Sequence, residues 1–229
     1  MVRLDEVLAQ LNGIADPSRL PGMARYGIAP DLALGITVTE LRKLARSIGR
    51  DHDLAAALWE TGIHEARMLA TMVDEPVRVT EAQLEAWVRD LRSWDLCDGL
   101  CGNLLDRTPF AFDKAIEWSR RDEEFVKRAG FALMAWTAVH RKDVGDDRFE
   151  MFLPIIRAEA TDDRNYVKKA VSWALRQIGK RSQRLNLAAV ETATQIQAID
   201  SRAARWVSSD ALRELTSGAV RERLAARSG

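Results

Sequence analysis

The chain has few of the residues that staple, hinge or anchor a fold. Two cysteines in 229 residues exclude a disulfide scaffold and, with no signal-like N-terminus, point to a reducing, cytoplasmic setting. Three histidines leave Cys97 and Cys101 without enough companions for a closed tetrahedral site, so no metal is expected and both read as buried thiols. No Ser–His–Asp pattern, phosphate loop or dinucleotide fingerprint occurs, and no cofactor is expected. No apolar run reaches the roughly 18–20 residues of a membrane span. β-Branched runs are scarce, which argues against a sheet protein. Charge of one sign is also missing: 34 basic residues face 34 acidic ones, so the chain is not a generic polyanion binder.

Ala, Leu, Arg and Glu dominate, with 47% hydrophobic and 30% charged residues. That composition predicts an all-α protein large enough to bury a core, taken as a single domain over residues 1–229. A short amphipathic helix is expected over 1–12. Residues 13–36, with Pro17, Pro21 and Pro30 and the four glycines Gly13, Gly22, Gly27 and Gly35, read as an irregular connection around Tyr26. Helical repeats fill 37–216, and the end from 225 to 229 is expected to fray.

Helix starts are legible. Thr37-x-x-Glu40 and Thr80-x-x-Gln83 have the form of capping boxes, and Gly49 stops the first of these helices. Helices are expected at 51–61 and 64–73, with a break near Gly62, and at 80–92 and 94–105. Thr108-Pro109 reads as an N-cap followed by proline in the first turn. Further helices are expected near 123–140, 147–160, 164–179, 186–198 and 201–216.

Two segments repeat. Asp122 to Ala129 matches Asp163 to Ala170, with Asp, Val, a basic residue and Ala at the same steps, 41 residues apart. Helix pairs with a period of about 40–47 are the mark of HEAT-type repeats. His64-Glu-Ala-Arg67 reads as a degenerate third copy. Stacked pairs form a curved solenoid whose second helices line a concave groove.

Neutrality hides segregation. Residues 51–118 carry 14 acids and 6 bases, whereas 164–190 carry seven bases and no acid. On the helix near 164–179, Lys169, Trp173, Arg176 and Lys180 fall on one stripe, three cations around an indole. Lys168 and Arg67 extend this basic set. Upstream, Trp94 and Asp98 are four residues apart and so share one helix face. The glycines after Asp98, Gly99 and Gly102, each weaken a helix by about 0.5–1 kcal/mol or permit close backbone approach.

Two indoles and a carboxylate suit a cation, and the basic residues, with Arg128 able to bind bidentately, suit phosphates. An alkylated purine in DNA is both cationic and phosphate-linked. Its positive charge weakens the N-glycosidic bond, and its departure leaves oxocarbenium character that a nearby carboxylate stabilises. Trp59, Trp87, Trp118, Trp136 and Trp206 read as core or inter-repeat packing.

Across roughly residues 25–180, the chain resembles the AlkD-like alkylpurine DNA glycosylases, the HEAT-like-repeat DNA alkylation repair proteins. The resemblance runs through Tyr26-Gly-Ile, Leu41-Arg-Lys-Leu-Ala, Ala57-Leu-Trp59, His64-Glu-Ala-Arg67, Ser93-Trp94-Asp95-Leu-Cys-Asp98, Val126-Lys-Arg128-Ala129 and Tyr166-Val-Lys-Lys-Ala-Val-Ser-Trp173. It implies an all-α right-handed superhelix that removes N3- or N7-alkylated purines from duplex DNA; the sequence offers no ground for expecting oligomers, and a monomer is expected. It implies Asp98 as catalytic carboxylate, Trp94 and Trp173 as indoles on the lesion's deoxyribose and backbone, and Arg128 as the basic residue beside them. Lys168, Lys169, Arg176, Lys180 and Arg67 are the expected DNA contacts. Two rivals share the fold: a non-catalytic binder of distorted or branched DNA, and a protein-binding scaffold using the acidic segment.

Overall fold

In the computed structural model, residues 4–28 and 32–226 are described. Pro30, the first three residues of the expected N-terminal helix and residues 227–229 of the expected frayed end lie outside them. Fifteen α-helices and no strand occur among the described residues. They are α1 Leu4–Gly13, α2 Leu20–Arg25, α3 Val38–Ile48, α4 His52–Glu60, α5 His64–Val73, α6 Glu81–Arg89, α7 Trp94–Asn103 and α8 Ala111–Trp118. The chain continues with α9 Glu124–His140, α10 Asp146–Glu150, α11 Leu153–Ala158, α12 Asn165–Gly179, α13 Gln183–Gln197, α14 Arg202–Leu215 and α15 Gly218–Ala225. None is long and apolar enough to cross a membrane.

The caps explain most boundaries. Thr37 and Glu40 form a complete reciprocal box at α3, and Gly49 closes that helix at φ 82°. Thr80 caps α6, but Gln83 does not reach back. Its amide donates instead to the buried Asp74 carboxylate at 2.7 Å, which also takes His52 Nδ1 at 2.6 Å. Four expectations need correction. The 13–36 connection contains a 3-10 turn at Pro17–Arg19 and then α2. Thr108 does not start a helix: it ends the 3-10 turn Leu105–Arg107, and its hydroxyl donates to Leu105 O. The expected 147–160 helix is two, because Pro154 lacks an N–H and sits in the first turn of α11. A further helix, α15, follows residue 216.

The chain forms two compact units, Met1–Pro109 and Phe110–Gly229. In the first, α4 and α5 form a hairpin, and α3, α5 and α7 pack side by side. Contacts from one repeat to the next recur at 31 residues: Trp59 to Asp90 and His64 to Asp95. In the second, α8 packs on α9 and α13 on α14, while α9, α12 and α14 pack in series. There the recurring step is 38 residues: Arg128 to Tyr166, Ser172 to Asp210 and Arg176 to Glu214. The two copies of the Asp122 and Asp163 motif therefore meet. Phe125 and Tyr166 lie 5.4 Å apart, and Arg164 donates to Asp122 O. Each core is aliphatic with embedded aromatics, Trp59 and Trp87 stacked at 4.1 Å in one and Phe112, Phe149 and Phe152 clustered in the other.

Candidate nucleic-acid interface

In the first unit Trp94 is the opening residue of α7, entered from an extended Ser93 at φ −147°. Its ring is half-buried, and Nε1 donates to Tyr26 O at 2.8 Å, tying the indole to the end of α2. Asp98 follows one helical turn later, also half-buried, so the helix delivers the shared face that the spacing requires. Cys97 and Cys101 are buried behind this face. Gly99 is where α5 comes close: a Cβ there would lie 2.5 Å from Met68 Sδ.

Sequence reasoning missed the neighbour of this pair. Asp95 Oδ2 lies 2.9 Å from His64 Nε2, linking the first turns of α5 and α7. Burial works to lower the His64 pKa, but the Asp95 carboxylate outweighs it and holds the imidazole above its usual value. Burial likewise works upward on Asp95, and His64 holds it below the ordinary carboxylate range. The only available signal was the 31-residue offset between two first-turn residues.

Arg67, expected to contact DNA, is embedded in packing. It lies 5.1 Å over the Trp59 ring, donates to Trp59 O at 3.0 Å and pairs with Asp90 at 3.2 Å. Asp90 also accepts from Trp59 Nε1. A cleft of about 190 Å³ opens beside this cluster, bordered by His64, Arg67, Asp90, Arg92, Ser93 and Leu96.

In the second unit Arg128 is 6% exposed on α9, and Nη1 donates to Tyr166 O at 2.8 Å, across to the first turn of α12. Trp173, half-buried on α12, meets Trp136 edge-on at 5.5 Å, and Trp136 stacks on His140. Trp136 is thus half-buried and packs from α9 onto α12, the inter-repeat role expected of it. Trp206 is not core: it is 39% exposed, and its contact is between helices, with Lys168 of α12 5.6 Å above its ring. Trp59, Trp87 and Trp118 are buried as expected. The four catalytic candidates are divided two and two, Trp94 with Asp98 in the first unit and Arg128 with Trp173 in the second.

The basic segment is mostly neutralised from outside itself. Arg164 pairs with Asp162, Arg181 with Asp146, and Arg184 with Asp147 and Glu150. Arg176 pairs with Asp210 and Glu214, and Lys180 with Glu214. Of the seven cations, Lys168 and Lys169 alone have no carboxylate partner among the described residues, and Lys169 is exposed. Among those residues no group of three or more His, Cys, Asp or Glu side chains is placed to hold a metal.

The family model for the DNA alkylation repair enzyme matches residues 7–215. This chain belongs to that family. The match includes every candidate residue named above and stops short of α15. Two curated relatives of this chain are uncharacterised proteins of Listeria monocytogenes and Listeria innocua. Each is 22% identical over 137 residues, 58% of this chain and 61% of the relative. The chain thus spans less than two thirds of these relatives' length. A solved structure matches with a TM-score of 0.79 at 19% identity, covering 97% of this chain and 96% of that one. It is described as a new family of proteins related to the HEAT-like repeat DNA glycosylases with affinity for branched DNA structures. The fold is therefore the HEAT-like repeat fold of that protein.

Proposed function

We propose that this member of the DNA alkylation repair family is a DNA glycosylase that releases positively charged N3- or N7-alkylpurines from duplex DNA. The observation that carries the reading is Trp94 with Asp98 on one half-exposed face of α7. The alkylated base already bears the positive charge that makes it a leaving group. Heterolysis of the N-glycosidic bond sends the bonding pair to the base, which departs neutral, and leaves an oxocarbenium at the sugar. Asp98 stabilises that cation, and water adds at C1′ and gives up a proton. In the first unit the Trp94 ring packs on the deoxyribose beside Asp98, and in the second Trp173 and Arg128 bear on the phosphate backbone. No step calls on a metal or cofactor. The protein acts as a monomer in a reducing cytoplasm, where Cys97 and Cys101 remain thiols.

The test is Asp98→Asn on methylated duplex DNA. Release of 7-methylguanine should fall by about 100-fold or more while DNA binding changes little. Excision at the wild-type rate would remove Asp98 from the chemistry.

A second reading, a non-catalytic binder of branched DNA, is favoured by the neutralised basic stripe and by the solved relative's described affinity. It expects tighter retention of a four-way junction than of duplex, and no free base from any alkylated substrate.

A further inference from the structure

The seam between α12 and α14 is a ladder of side chains at four-residue steps. From α12 and its C-cap come Lys168, Ser172, Arg176 and Lys180, and from α14 come Trp206, Asp210 and Glu214. Lys168 lies over Trp206. Ser172 Oγ donates to Asp210 Oδ2 at 2.7 Å, and Arg176 Nε lies 3.3 Å from the same oxygen. Arg176 Nη1 donates to Glu214 Oε2 at 2.5 Å, and Lys180 Nζ donates to Glu214 Oε1. Arg213 pairs with the other oxygen of Asp210.

These are the cations that a phosphate backbone would use, and two carboxylates hold them. The pairs are not sealed: the Arg176 side chain is 25% exposed and that of Glu214 31%. Lys180 and Asp210 are more covered, at 15% and 16%, yet each still reaches solvent, so a polyanion can compete for the cations. Burial works upward on Glu214, but Lys180 and Arg176 hold it below the ordinary carboxylate range, so it stays charged near neutral pH. A DNA phosphate approaching Arg176 or Lys180 must therefore displace a carboxylate before it gains a contact.

We propose that Asp210 and Glu214 are a resident counter-anion for DNA phosphates, occupying Arg176 and Lys180 and so limiting how tightly the second unit holds undamaged duplex. This rests on the DNA-binding part of the function proposed above. Each phosphate contact adds about 0.9 to the log–log salt slope of DNA binding. Two masked cations thus remove sequence-independent affinity and leave recognition to the remaining contacts. The carboxylates determine affinity and are not catalytic residues.

The experiment titrates the full chain into labelled, undamaged duplex DNA at several salt concentrations, comparing wild type with the Asp210→Asn, Glu214→Gln double variant. The variant should bind about three- to tenfold tighter at low salt, with a slope steeper by about one to two. A folded variant with unchanged affinity and slope overturns the proposal. Lys180→Gln in the otherwise native chain is the second arm, because it keeps the Arg176–Glu214 pair across the seam. A masked ammonium predicts less than about a twofold loss of binding, whereas a loss near tenfold shows Lys180 already on phosphate and overturns the proposal. Wild type that binds while the variant binds no tighter removes this inference alone. Indifference of both proteins to DNA removes it together with the function proposed above.

Discussion

His64 and Asp95, each in the first turn of its helix, join α5 to α7 through a 2.9 Å contact between Nε2 and Oδ2. The contact lies one residue from Trp94, so it fixes the start of the helix that carries both Trp94 and Asp98. Stacked helices of a repeat protein need such lateral ties because each touches only its neighbours.

The pair predicts a pH dependence. His64 has a raised folded pKa, so its contribution is complete below the ordinary imidazole value of about 6.5 and is lost as pH rises through the higher folded value. Asp95 has a lowered one, so its contribution is present above about 3.9 and is lost as pH falls through the lower folded value. The tie is strongest between about pH 4 and 6.5. His64→Gln should cost about 1–2 kcal/mol at pH 6 and less at pH 8.5. Urea unfolding at the two pH values measures this, and equal losses at both would count against the pair.

Glu65, the next residue, is 1% exposed and accepts three backbone N–H groups, from Leu34 at 2.7 Å, Gly35 at 2.8 Å and Ile36 at 3.2 Å. Gly35 has φ 75°, and a Cβ there would meet Asp16 O at 2.1 Å, so the loop has little alternative shape. Glu65→Gln removes the charge that these donors face and should cost about 2–3 kcal/mol. Amide hydrogen exchange at residues 34–36 should accelerate. Unchanged protection there would show that the loop is held by something else.

Two glycines should answer differently to the same change. At Gly130 a Cβ would meet backbone, Ser119 N at 2.4 Å and Ser119 Cα at 2.8 Å, because α8 ends against α9 there. Gly130→Ala should destabilise by about 1–3 kcal/mol. At Gly99 the obstacle is the end of the Met68 side chain, which can swing away, and alanine gains helix propensity. Gly99→Ala should cost less than about 1 kcal/mol. Thermal melts of the two variants test the ranking, and a larger loss at Gly99 would reverse it.

Local signals carried far along this chain. The reciprocal box at Thr37, the stop at Gly49 and the break near Gly62 are short-range chemistry, and the structure contains all three. The 41-residue echo between Asp122 and Asp163 marked helices that do pack together. Failures came where a residue had two local options. Thr108 could cap a helix or close a 3-10 turn, and Pro154 could interrupt a helix or begin a new one. The i, i+4 spacing of Trp94 and Asp98 guaranteed a shared face once α7 formed. The basic stripe was legible as a stripe, but its neutralisation was not. Asp210 and Glu214 stand 34 to 38 residues from their cations, and no helical periodicity links such positions.

The unequal step between repeats, 31 residues in one half and 38 in the other, limits how this protein can be cut and rejoined. A helix pair duplicated within its own half brings its lateral partners in phase. The same pair transplanted into the opposite half brings a repeat seven residues shorter or longer than its new neighbours, and its donors lose their matched acceptors. Chimeras should therefore be spliced half for half, not repeat for repeat.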